Sequence, residues 1–249
     1  MLFKLLKHEF KNNYKLYFLL NFCVLFFSFT ASNFKPNNTL INLFMFMIYL
    51  ASMIALFFFV VYSVVTSFKN SMFGKRGYLT LTMPVSTSTI ILSKYLMCIF
   101  WILISVLSVI FSFFAFSNLF PNDLLSYVFS LDDIWAIILN LFISVILSAL
   151  SFVSVVFLCV TISQTSVFKK YRNLIAFILF VVISFALSYI NAGITDKIFY
   201  ETLYSTTVYT SVNTLLTYMN LYSFISTGIV AIVFFVFVKY LIDNKIELE

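Results

Sequence analysis

Charged residues vanish from this chain for long stretches. Asp, Glu, Lys and Arg are all missing from residues 16–34, 36–68, 95–122, 134–168, 173–195 and 202–238, and each stretch exceeds the roughly 18 apolar residues that mark a spanning helix. The next uncharged stretch, 77–93, holds Gly77, Pro84 and a run of Thr and Ser, which predicts a polar loop. Continuous apolar runs such as Met53 to Val61 and Ile229 to Val238 show none of the alternation of a membrane barrel. The pattern predicts an all-α, polytopic membrane protein, a single transmembrane domain over residues 1–249 with six transmembrane helices. They are drawn at Leu16 to Ala31, Leu40 to Thr66, Tyr95 to Phe116, Trp135 to Ile162, Leu174 to Ile190 and Leu221 to Ile242.

Residues 1–15 have a different rhythm. Leu2, Leu6, Phe10 and Tyr14 recur every fourth position with Phe3 beside them, while Lys4, Lys7, Lys11 and Lys15 repeat on another arc. This predicts an amphipathic helix at the membrane interface, in contact with lipid headgroups. Its patterning and Glu9 weigh against a cleaved signal peptide. The basic residues also orient the chain. With the N-terminus inside, thirteen of the fifteen Lys and Arg fall on the cytoplasmic side and only Lys35 and Lys197 outside, so both termini are predicted to be cytoplasmic. The segment 191–220, rich in Tyr and Thr, is then an extracellular loop with room for short interfacial helices. The loop 117–133, with Asp123, Asp132 and Asp133, is extracellular too.

Composition sharpens this picture chiefly by exclusion. Of 249 residues 63% are hydrophobic and 10% charged, against about a quarter charged in a soluble domain, and the mean hydropathy of +1.07 leaves too little polar surface for a water-facing globule. The net charge of +6 is spread along the cytoplasmic segments, which suits anionic lipid and gives no patch for nucleic acid. Cys23, Cys98 and Cys159 are odd in number and lie in apolar stretches, so they read as packing residues. His8 is the one histidine, which excludes multi-histidine metal sites. Around Gly74 and Lys75, Lys69 and Arg76 stand where a phosphate loop needs Gly and Ser or Thr, so no ATP site is predicted. No ionisable residue falls at the centre of a predicted span, which argues against a proton-driven carrier. Asn21, Asn140, Gln164, Ser105, Ser108, Ser112, Ser151 and Ser154 read as helix-packing groups before substrate ligands.

The segment between the second and third spans runs FKNSMFGKRGYLTLTMPVSTSTIILSK from Phe68 to Lys94. Through Gly77, Tyr78, Leu79, Thr80, Thr82, Met83, Pro84, Val85 and Ser86, and then Ile90 to Lys94, it resembles the permease subunits of type-2 ATP-binding-cassette exporters of Gram-positive bacteria. The likeness extends loosely to the amphipathic start and the six-span plan. Lys75 and Arg76 depart from it, since relatives often carry an acidic residue before the glycine.

The resemblance implies that residues 68–94 form a cytoplasmic coupling helix docking on an ATPase, with Lys75, Arg76, Gly77, Tyr78, Leu79, Thr80 and Pro84 as coupling residues. Pro84 would break the chain before Thr87 or Ser88 caps the third helix. Residues 1–15 would be an elbow helix, with Phe3, Leu6, Phe10 and Lys11 at the membrane interface. It further implies a second permease subunit, identical or different, and cytoplasmic ATPase subunits that bind ATP and Mg, none of which this chain binds itself. The setting would be the bacterial cytoplasmic membrane, and the chain itself would not be an enzyme. The spans lack central charge and 34 of the residues are Phe, which suits hydrophobic or amphipathic cargo, antimicrobial or toxin-like peptides leading and lipid or drug efflux next. Two other classes stay open, an ATPase-independent carrier and a noncatalytic membrane assembly protein.

Overall fold

The computed structural model describes residues 2–33, 39–73, 86–116, 134–165, 171–205 and 212–245. Six long α-helices occupy them: α1 (Leu2–Asn33), α2 (Thr39–Met72), α3 (Thr87–Phe116), α4 (Ile134–Ser163), α5 (Arg172–Ser205) and α6 (Val212–Lys245). No strand occurs among the described residues. Five of the helices carry segments long and apolar enough to cross a membrane: Leu43–Met72, Thr87–Phe113, Ile138–Ser163, Arg172–Gly193 and Leu221–Asn244. Lipid offers backbone N–H and C=O groups no partners, so such segments must close their hydrogen bonds internally. The chain is an all-helical, multi-pass membrane protein.

Those five coincide with five of the predicted spans. The first predicted span, Leu16 to Ala31, lies within α1, which is not among the five. Nor does α1 break between its amphipathic and apolar parts, because no Gly or Pro stands near Lys15 and Leu16 to interrupt it. The stretch 191–220 also differs from a simple loop. Helix α5 runs on to Ser205 and α6 already begins at Val212. At 34 residues, α5 is about 51 Å long against a hydrocarbon core of about 30 Å. Hydropathy marks where the membrane ends, whereas the backbone stays helical past Asp196 to Ser205.

The helices form two compact units. The first comprises α1, α2 up to Ser67 and α3 from Leu92. Its core sets Val24 of α1 against Tyr49 and Leu56 of α2, with Leu20, Met53 and Val60 packed around them. Polar groups lock α3 onto this pair: Ser108 donates to the Asn21 side-chain oxygen, and Tyr49 and Ser112 share a 2.9 Å hydrogen bond. Such bonds matter in lipid, where hydrophobicity drives helices together far less than it does in water.

The second unit holds the end of α2 from Phe68, the start of α3 up to Ile91, and α4, α5 and α6. Helix α4 is its centre, and every residue from Val153 to Thr161 is buried. Helices α5 and α6 keep broad apolar faces outward, with Phe185 72% and Ile232 67% exposed. Those faces suit lipid, as in water they would be large exposed apolar patches. Phe68 stacks on Phe157 of α4 with ring centroids 3.9 Å apart and planes 13° from parallel, tying the end of α2 to the centre of the unit.

Candidate functional site

The predicted coupling residues Lys75, Arg76, Gly77, Tyr78, Leu79, Thr80 and Pro84 lie outside the described residues. The helix ends on either side of them are well defined. At the end of α2, Phe73 N–H bonds to the Lys69 carbonyl at 2.9 Å, and the Lys69 ammonium donates to the Asn173 side chain at the start of α5 at 2.7 Å. At the start of α3, the Ser86 carbonyl accepts from Thr89 and Ile90 N–H, and its hydroxyl pairs with that of Thr89 at 2.6 Å. The cap is thus Ser86, one residue before the predicted Thr87 or Ser88. Ser86 lies outside the helix while its oxygens meet the first turn, the arrangement Ser favours at an N-cap. Lys69, its partner Asn173 and Ser86 all belong to the second unit.

In the first unit the amphipathic stretch seats against α3. Lys94 makes an ion pair with Glu9, its side chain 5% exposed and that of Glu9 15%. Two turns further into α3, Phe10 stacks on Trp101 at 5.2 Å and Tyr17 stacks on Trp101 at 4.6 Å. Trp101 is therefore enclosed between two aromatic rings of α1. Of the predicted interface residues, Phe10 meets α3 in this way, Leu6 is half-buried and Lys11 is exposed. Phe3 lies within α1, its side chain outside the described residues. The ion pair was not anticipated from sequence, yet a signal was available. Glu9 is the sole acidic residue before Asp123, and Lys94 stands at the edge of an apolar helix, where a charge needs a partner.

The second unit contains a groove. Helices α5 and α6 both pack on α4 and scarcely on each other, which leaves a cavity of about 280 Å³ wedged between them. Its floor includes Phe152 and Val155 of α4, and its walls carry Ser188 and Asn191 of α5 with Thr227 and Val230 of α6. Ser188, four residues after Ser184 on one helix face, and the adjacent pair Ser226 and Thr227 were not singled out from sequence. Their spacing was the available signal.

Of the other candidates, Ser105 and Ser154 are buried packing groups and Ser151 lines the groove. Ser105, Ser154 and Ser151 donate to carbonyls of their own helices. The three cysteines are free thiols. Among the described residues no three His, Cys, Asp or Glu side chains gather where a metal ion would sit. No protein-family model matches the chain, and neither curated proteins nor solved structures yield a match.

Proposed function

We propose that this chain is the permease subunit of a type-2 ATP-binding-cassette exporter in a bacterial cytoplasmic membrane. In this reading α1 supplies the sixth span and its first half the elbow, and both termini face the cytoplasm. Residues 68–94 couple the spans to separate ATPase subunits that bind ATP and Mg. A second permease subunit, identical or different, completes the path. The cargo is hydrophobic or amphipathic, with antimicrobial or toxin-like peptides leading.

The observation that carries the reading is the anchoring of the connector between α2 and α3. A segment that passes on a partner's ATP-driven movement needs stiff attachments at both ends. Here the end of α2 is held by the Phe68–Phe157 stack and the Lys69–Asn173 bond, and the start of α3 by the Ser86 cap. The Ser86 cap stiffens the first turn of α3, while the two contacts at the end of α2 would pass a push on the connector into α4 and α5. The sequence between those attachments is the one that resembles exporter permeases.

Purification of the chain from its native membrane in a mild detergent tests this. The expected result is a stoichiometric ABC ATPase in the complex, ATP hydrolysis by the complex and none by the isolated chain. Transport sustained by an ion gradient, with no ATPase bound, would overturn it in favour of an independent carrier.

A further inference from the structure

The groove over α4 has an unusual hydrogen-bonding character. Five hydroxyls line it, and four of them already spend their protons on their own helices. Ser151 donates to the Ser148 carbonyl at 2.9 Å, Ser188 to that of Ser184 at 2.9 Å, Ser226 to that of Ser223 at 3.2 Å and Thr227 to that of Ser223 at 2.6 Å. A hydroxyl has one proton and two lone pairs. What these four offer the groove is therefore lone pairs, and a guest must bring the protons.

Charge narrows the guest further. No Lys, Arg or His lines the groove, and no Asp or Glu does either. Apart from Asn191 and Ser184, the polar lining offers an anion lone pairs where it needs donors, and a cation would be taken from water without a counter-ion, which is costly at membrane depth. The floor and walls between the hydroxyls are apolar, through Phe152, Val155, Leu187 and Val230. About 280 Å³ is close to the lower end of small-molecule pockets, enough for a polar head and the first part of a tail.

We propose that the groove between α4, α5 and α6 binds uncharged amphiphiles whose polar head donates hydrogen bonds, the amide N–H above all. The head sits among the oxygens of Ser188, Ser226 and Thr227, and the apolar tail follows Leu187 and Val230 toward lipid. This concerns binding by the chain itself and holds with or without an ATPase. Only its extension to exported cargo rests on the exporter reading.

A matched series of ten-carbon molecules tests it. The full chain in phosphatidylcholine nanodiscs is labelled with a diazirine-bearing decanamide and the labelled peptides are mapped by mass spectrometry. Decanamide, N,N-dimethyldecanamide and decanoate then compete at equal membrane concentration. The first two share a carbonyl and differ in N–H donors. Labelling is expected within α4 to α6, displaced at least about tenfold better by decanamide than by either competitor, on the net worth of one or two hydrogen bonds. Thr227→Val keeps the shape and removes the oxygen, so it is expected to weaken labelling severalfold with the melting temperature little changed. Adding Ser188→Ala and Ser226→Ala should bring the loss to about tenfold. Equal displacement by N,N-dimethyldecanamide or decanoate, labelling outside these helices, or undiminished labelling of Thr227→Val would each overturn the proposal. So would efficient cross-linking of Ser188→Cys between two copies in the nanodisc, because the groove would then be filled by a second chain.

Discussion

Cutting the bond between Glu9 and Lys94 should destabilise the chain unequally, depending on which partner is removed. Glu9→Gln leaves an ammonium 95% enclosed, since the Lys94 side chain is 5% exposed, whereas Lys94→Met leaves a carboxylate with 15% of its surface free. Removing one partner of a buried pair costs about 3–5 kcal/mol, and replacing both with apolar groups of similar volume is often neutral or stabilising. The full figure applies to Glu9→Gln, less what Lys94 recovers by stretching its methylenes toward the headgroups, so about 2–4 kcal/mol is expected. Lys94→Met, whose stranded carboxylate reaches water more easily, should cost about 1–2 kcal/mol on the same reasoning. The double variant Glu9→Leu with Lys94→Met should fall within about 1 kcal/mol of the parent, giving a large coupling energy in the cycle. Reversible unfolding in mixed micelles, followed by the fluorescence of Trp101 in a Trp135→Phe background, reports all three. Trp101 is stacked against Phe10 of the same helix that carries Glu9, so it senses the separation of α1 from α3. Additive effects, or single variants within about 0.5 kcal/mol of the parent, would refute the claim that this pair holds the amphipathic stretch in place.

Phe68→Ala should destabilise the second unit by about 3–5 kcal/mol, since it empties a fully buried site and removes the stack on Phe157, as thermal unfolding will record. Asn21→Leu and Ser108→Ala should each cost about 1 kcal/mol and together less than the sum, because the only bond between helices that either removes is the one they share; a double-mutant cycle by the same method decides. Tyr78→Ala should lower transport and ATPase binding with membrane insertion unchanged, and wild-type values of both would remove the coupling role of the connector. Single cysteines at 75 and 170, in a chain without Cys23, Cys98 and Cys159, should react with an impermeant thiol reagent only in inside-out vesicles, and those at 123 and 196 in intact cells. Labelling of position 75 from outside would sink the proposed orientation.

The class of fold was plain from sequence, because a long uncharged stretch has few physical alternatives to a helix in lipid. The limits of the helices were less plain. Charge and hydropathy report on the surrounding medium, and so they placed the end of the fifth span at Ile190 although the backbone stays helical to Ser205. The same blindness hid the groove. Ser184, Ser188, Ser226 and Thr227 look like minor polar interruptions in apolar runs, and only the splaying of α5 from α6 over α4 gives them a common space. Asn21 and Ser108 could be read as packing groups from their types alone. That they serve each other, 87 positions apart, is a matter of how α1 and α3 are turned, which no local pattern encodes. Glu9 and Lys94 lay between these cases, since a lone acid among lysines invites a partner but does not name one.

The polar links of the first unit also impose an order in time. Asn21 and Tyr49 leave the ribosome before the helix that carries Ser108 and Ser112 exists. The Tyr49–Ser112 bond spans 63 residues, which at about 5–20 residues per second puts roughly 3–13 s between the synthesis of its two ends. For that interval α1 and α2 can be held in register by Val24, Leu56 and their apolar neighbours, a contact surface that tolerates rotation and sliding. Helix α3 then brings both hydroxyls one turn apart, and each catches a different earlier helix. Its arrival is the moment at which a loose pair of membrane helices becomes a fixed trio.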